Sequence, residues 1–194
     1  METRTLGRTG RKVGVVGLGA WQLGDAWGTV TDDDARDVLR AAVGGGMSLI
    51  DTADAYGDGR SERFVGELLA GLSTDRPVVA TKMGRRVEQK PEHYNRDNFR
   101  SWTERSRRYL GVEALDLVQL HCPPPPVYAD DTVFSALDEL VADGAVRAYG
   151  VSVETCAEAL AAIRRPGVAT VQIILNCFRQ KPLDEVLPAA RGAG

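Results

Sequence analysis

Short apolar runs fall at residues 47–50, 77–82, 115–120, 148–152 and 168–175, and each but the last is followed in full by a stretch with helical apolar spacing. Strands separated by a returning helix cannot be joined as a tight hairpin, so such a series builds parallel neighbours through right-handed crossovers. That restricts the chain to the α/β class, as either a doubly wound open sheet or a (β/α)8 barrel. The helical stretches are well marked. Thr31 and Asp34 form a capping-box-like start, Ala35, Val38, Leu39, Ala42 and Val43 make one stripe, and glycines 44–46 end it. Ser61 reads as the cap of the next helix, with Phe64, Val65, Leu68 and Leu69 on one side, and a third carries Phe99, Trp102, Tyr109 and Leu110. Residues 131–143 form a fourth before Gly144, and Thr155 with Glu158 starts a fifth that stops before Pro166. Residues 182–194 begin as a helix that Pro188 is expected to interrupt.

Ahead of this series, residues 3–16 read as a hairpin turning at residues 7–10, followed by a first strand and loop over residues 15–24. The glycines there do not make a dinucleotide fingerprint, because the third glycine of G-x-G-x-x-G would fall at Gln22 and no helix opens there. They suit close approach of backbone to a ligand or neighbouring strand, with Trp21 and Trp27 placed to wall a pocket.

Composition narrows the function. With 194 residues, 43% hydrophobic and 26% charged, the chain is expected to form one globular domain over residues 1–194. No apolar run reaches the roughly 18 residues of a membrane helix, and the N-terminus lacks the apolar core of a signal peptide, so a cytoplasmic location is expected. A formal net charge of -3 argues against nucleic-acid or membrane-surface partners. Cys122, Cys156 and Cys177 match no metal-ligand spacing, and two of the three, in or beside apolar segments, read as small buried thiols; with only two histidines, no metal site is expected. His93 reads as a surface loop residue.

The polar ends of the apolar runs carry the chemistry. Asp51, Lys82 and His121 terminate three successive strands, and in a barrel that C-terminal face is where ligand chemistry is built. Tyr56 follows Asp51 on a short glycine-rich loop. A phenol serves as an acid near neutral pH only when something lowers its pKa from about 10, and an ammonium paired with Asp51 and brought up to Tyr56 would do so. His121 would then bond a substrate carbonyl oxygen. Singly, these residues have ordinary explanations as a loop cap, a packed aromatic, a solvated strand end and a satisfied polar group; together, at consecutive strand ends, they point to one acid-base site.

The segments Asp51-Thr52-Ala53-Asp54-Ala55-Tyr56-Gly57, Ala80-Thr81-Lys82, Leu117-Val118-Gln119-Leu120-His121, Tyr149-Gly150-Val151-Ser152 and Val171-Gln172 with Asn176 resemble, in order, those of the aldo-keto reductases. The resemblance implies an α/β fold of (β/α)8 TIM-barrel type with an N-terminal β-hairpin, NADPH as cofactor, and reversible reduction of a small-molecule carbonyl, an aldehyde or ketone, to an alcohol. It implies catalytic roles for Asp51, Tyr56, Lys82 and His121, with Tyr56 the proton donor. It implies cofactor contacts from Gly19, Trp21, Asp51, Ser152 and Gln172. Val153 stands where many relatives carry Asn, which removes one carboxamide donor. Prolines 123–126 are expected to form a stiff, extended loop whose Tyr128 touches substrate.

A complete barrel of this kind takes about 250 residues. About six β/α units are legible, the last unfinished, so the expected barrel is incomplete, its seventh and eighth units absent and its first and sixth strands left with open edges. Two functions fit: an oxidoreductase represented by part of its chain, or a truncated, non-catalytic reductase-like barrel with a binding or regulatory role. The sequence sets neither the physiological substrate nor the oligomeric state.

Overall fold

A computed structural model describes residues 1–24 and 28–194; Trp27 lies outside them. The chain opens with an antiparallel hairpin of β1 (Thr3–Thr5) and β2 (Lys12–Gly14). The hairpin lies across the N-terminal end of a second sheet: Gly14 N–H donates to Ser48 Oγ at 2.8 Å, and the Arg8 guanidinium bonds the carbonyls of Arg165 and Val168.

The second sheet has six parallel strands: β3 (Leu18–Gly19), β4 (Leu49–Asp51), β5 (Val78–Met83), β6 (Leu117–His121), β7 (Tyr149–Val153) and β8 (Val168–Ile173). Their spatial order is their chain order, without the reversal that defines a doubly wound sheet. Of the two architectures the repeat allows, this is the barrel type. It is an open half-barrel whose edge strands are β3 and β8.

Between the strands run α1 (Asp32–Gly44), α2 (Arg60–Ala70), α3 (Arg96–Leu110), α4 (Asp131–Ala142) and α5 (Cys156–Ile163), with α6 (Val186–Ala193) after β8. Thr31 and Asp34 close a full capping box on α1, as Thr155 and Glu158 do on α5. The core lies between the helices and the outward face of the sheet. Ile50, Val79, Met83, Val118, Leu120 and Val151 alternate with inward residues along their strands and are buried against Leu39, Phe64, Val65, Phe99, Trp102 and Leu137.

Several expectations are corrected. Ser61 does not cap α2; Gly59 does, at φ 86, and Ser61 is buried inside the first turn. Pro188 does not interrupt α6, because it sits in the first turn, where its missing N–H has no intrahelical partner to lose. The prolines after His121 lead into a 3-10 turn over Pro125–Ala129 rather than an extended loop, and Tyr128 on it is buried in the core beside Phe134, not presented to a substrate. Cys122 and Cys156 are half-buried and Cys177 is exposed; all three thiols are free. β8 ends at Ile173, leaving Ile174 and Leu175 outside the sheet.

Candidate active site

Strand register places the predicted residues at one end of the sheet. Gly19 pairs with Asp51, Asp51 with Ala80, Lys82 with Gln119, His121 with Ser152, and Ser152 with Gln172. Paired residues in a parallel sheet share a face, so Asp51, Lys82, His121, Ser152 and Gln172 all project from the inner face near its C-terminal rim.

Lys82 is the centre of the group. Its strand is buried throughout, and its own side chain is 2% exposed, so the ammonium must find partners inside the protein. Nζ donates to Asp51 Oδ1 at 2.7 Å, to the Thr52 carbonyl at 3.0 Å and to the Tyr56 hydroxyl at 3.3 Å. The Asp51 side chain keeps 27% exposure, so water shares in its solvation. Nζ also stands 5.1 Å from the Tyr56 ring centroid. One cation is thus held between a carboxylate and a phenol.

The loop bearing Tyr56 is tied down along its length. Thr52 N–H donates to Ala80 O at 2.8 Å and Asp54 N–H to Lys82 O at 3.1 Å, so the loop continues beside β5 after β4 has ended. The Ser61 hydroxyl bonds Thr52 Oγ1 and donates to Ala20 O, both at 2.8 Å, joining the loops after β3 and β4. Gly24 lies directly against Tyr56 and Gly57; a Cβ there would meet Gly57 N and Tyr56 C at 2.6 Å. Gly57, Asp58 and Gly59 follow in succession at φ 59, 53 and 86, a left-handed turn that returns the chain into α2.

His121 packs edge-on to Tyr56, with ring centroids 5.9 Å apart and planes at 83°. The imidazole is buried, and that burial, followed by the charges of Lys82 and Arg85, pushes its pKa down to about 3. It is neutral at physiological pH and presents one N–H donor and one acceptor. Its Nδ1 has no hydrogen-bond partner among the described residues.

The remaining predicted positions line the same rim. Gly19 is exposed at the end of β3, and Trp21 follows it with 42% of its surface accessible. The Ser152 hydroxyl is close enough to Cys122 to bond its thiol. The Gln172 side chain is exposed and makes no hydrogen bond among the described residues. Cys122, directly after His121, holds a φ of 51, unusual for a residue with a side chain.

Two acidic residues that the sequence reading left without a role lie beneath the Tyr56 loop. Asp54 is 1% exposed and neither carboxyl oxygen has a hydrogen-bond partner among the described residues. Burial, and then the charge of Glu62, raise its pKa to about 7, against the opposing pull of Arg86 and Arg105. Glu62 is wholly buried on α2; burial raises it too, while hydrogen bonds from Thr81, at 2.6 Å, and Ser106 act against that rise. The only sequence signal for the pair is Asp54's place between Asp51 and Tyr56.

The family model described as "Aldo/keto reductase family" matches residues 15–194. Among curated proteins, the chain is 33% identical to aldo-keto reductase YhdN of Bacillus subtilis (strain 168), the match covering 98% of this chain and 59% of that protein. It is 31% identical to D-threo-aldose 1-dehydrogenase of a Pseudomonas species, covering 93% of this chain and 63% of the relative. Among solved structures, the holo form of aldo-keto reductase AKR11C1 from Bacillus halodurans superposes with a TM-score of 0.82 at 26% identity, over 98% of this chain and 64% of that one. An aldo/keto reductase from Klebsiella pneumoniae, solved in complex with NADP and acetate, gives 0.81 at 27% identity, over 96% and 63%. The chain therefore spans about three fifths of the length of the relatives it matches.

Proposed function

The chain belongs to the aldo/keto reductase family, and from that premise we propose that it serves the reversible reduction of an aldehyde or ketone to an alcohol with NADPH. The observation that carries the reading is the convergence on Lys82 Nζ of Asp51 at 2.7 Å and Tyr56 at 3.3 Å, with neutral His121 against the same phenol.

The rim fits a nicotinamide. Ser152 and Gln172 are register partners on the inner face, and together offer a hydroxyl and an amide to a carboxamide that needs both a donor and an acceptor. Among the described residues the Gln172 side chain has no bond of its own to give up. Gly19, Trp21 and Asp51 border the same opening. Bound NADPH would supply the hydride, chemistry no side chain here provides.

The chain's own residues manage the proton and the carbonyl. A ring N–H of His121 orients the carbonyl oxygen; because the ring is neutral it polarises that oxygen without protonating it. The Tyr56 hydroxyl gives up its proton as negative charge grows on the same oxygen, and Lys82 stabilises the phenolate left behind. Asp51 holds the ammonium at that distance. In the oxidative direction the same phenolate takes the proton back.

The test is Tyr56→Phe. With an aromatic aldehyde and NADPH, kcat is expected to fall by about two orders of magnitude or more, with NADPH affinity little changed, because the hydroxyl acts in the transition state. Unchanged turnover would remove Tyr56 as the acid. A binding or regulatory barrel is the second reading; it requires partner or NADPH binding without turnover in the chain that carries all four residues.

A further inference from the structure

Arg85 and Arg86 follow β5 side by side and have different surroundings. Arg85 is exposed. Arg86 keeps only 18% of its side-chain surface and reaches back across the loop that bears Tyr56. Its Nη1 donates to the carbonyl of Asp54 at 3.0 Å, and its Nη2 pairs with the carboxylate of Asp58. The two anchor points flank Tyr56 by two residues on either side.

The Asp58 anchor lies where the backbone is least comfortable. Asp58 sits at φ 53 between two left-handed glycines, a conformation uncommon for a residue with a side chain. Two guanidinium groups reach it there from outside the turn. Arg86 does so from the β5 side, and Arg105 of α3 reaches the same carboxylate at 3.3 Å. Neither arginine hydrogen-bonds or ion-pairs with Tyr56, Asp51 or Lys82. The strand that carries Lys82 therefore leads directly into a side chain gripping the loop that carries Tyr56.

We propose that Arg86 is a positioning residue for the reduction: its guanidinium, bridging Asp54 O and the Asp58 carboxylate, fixes the Tyr56 hydroxyl relative to Lys82. The bridge needs two acceptors in different directions. The planar fork of arginine meets both, whereas a lysine ammonium on the same stem meets one. This rests on the reductase reading for its kinetic readout and on the observed loop geometry for its spectroscopic one.

The experiment compares wild type, Arg86→Ala, Arg86→Lys and Asp58→Asn. Asn accepts the left-handed backbone as Asp does, so Asp58→Asn removes the charge without changing the turn. Each variant is assayed for kcat and KM with an aromatic aldehyde and NADPH. Each is also labelled with 13C-tyrosine, so that the ring signal of Tyr56, assigned from its loss in Tyr56→Phe, reports the phenol's environment without turnover. Arg86→Ala is expected to lower kcat by about ten- to a hundredfold, the scale of an ångström's misplacement, with KM for NADPH nearly unchanged, and to move the Tyr56 signal. Asp58→Asn should shift both readouts the same way by less, and Arg86→Lys should recover part of each. Wild-type kcat together with an unmoved Tyr56 signal in Arg86→Ala would overturn the proposal. Should Arg86→Ala fail to fold, Asp58→Asn decides by the same two readouts. If wild type itself does not turn over, this stretch of chain is not by itself a reductase, and the clamp stands or falls on the ring signal alone.

Discussion

Replacing Asp54 with asparagine should stabilise the protein at pH 8 and do little at pH 5. A carboxyl whose pKa is raised on folding binds its proton more tightly in the folded chain than in the unfolded one. Its penalty is therefore absent below the unfolded value near 3.8, grows as pH rises, and is complete above the folded value of about 7. A rise of roughly three units at about 1.4 kcal/mol each sets an upper bound of about 4 kcal/mol on the cost of ionising Asp54 in place. Asparagine never ionises, but it leaves a buried amide without partners, at about 1–3 kcal/mol. The net gain at pH 8 is therefore about 1–3 kcal/mol, or roughly 2–10 °C in Tm for a chain of this size. At pH 5 the unfolded carboxyl is already ionised while the folded one is protonated, so the penalty has reached only about 1.6 kcal/mol, and the amide's cost of about 1–3 kcal/mol offsets it. Thermal unfolding of both proteins at the two pH values measures the difference of differences. A Tm offset between Asp54→Asn and wild type that is the same at pH 5 and pH 8 would show that Asp54 does not carry the buried titration, and would shift the argument to Glu62.

Other perturbations test separate parts of the structure. Gly24→Ala places a methyl against Gly57 N and Tyr56 C at 2.6 Å, which neither backbone can yield cheaply; a loss of about 1–3 kcal/mol in urea unfolding is expected, together with reduced turnover. Lys82→Met leaves Asp51 and Tyr56 without their shared cation; turnover should fall by orders of magnitude, while stability changes less, because Asp51 retains access to water. The ring signals of His121 should stay at one position from pH 5 to 8 in an NMR titration, since the imidazole charges only near pH 3; a midpoint in that range would refute its burial-enforced neutrality. Tyr149→Phe deletes the 2.7 Å bond to Asp138 Oδ1 and should cost about 1 kcal/mol, read by the same unfolding assay.

The residues that sequence alone made visible share a physical signature. Asp51, Lys82 and His121 each interrupt an apolar run at a strand end, so their chemistry and their place in the fold are announced by one pattern. Asp54 and Glu62 carry no such mark. Glu62 sits in Ser61-Glu62-Arg63 and reads as solvated; its burial depends on Thr81, which projects from the outward face of β5 and is distant in sequence. Ser61 has the chemistry of a helix cap, but the left-handed turn through Gly59 moves the helix start ahead of it, and its hydroxyl serves a contact between loops instead. Tyr128 was misplaced because a proline run suggests extension, whereas here the prolines initiate a tight turn that folds the ring inward.

The contact of Gly24 with Tyr56 and Gly57 has a mechanical outcome. With no side chain interposed, the segment beside Trp21 and the segment carrying the phenol have no slack between them, and Arg60, where the phenol's segment enters α2, bonds the carbonyls of Leu23 and Val30. A guest that wedges the first segment outward must drag the second along with it. Fit at the lip of the barrel and alignment at its centre are thereby a single degree of freedom.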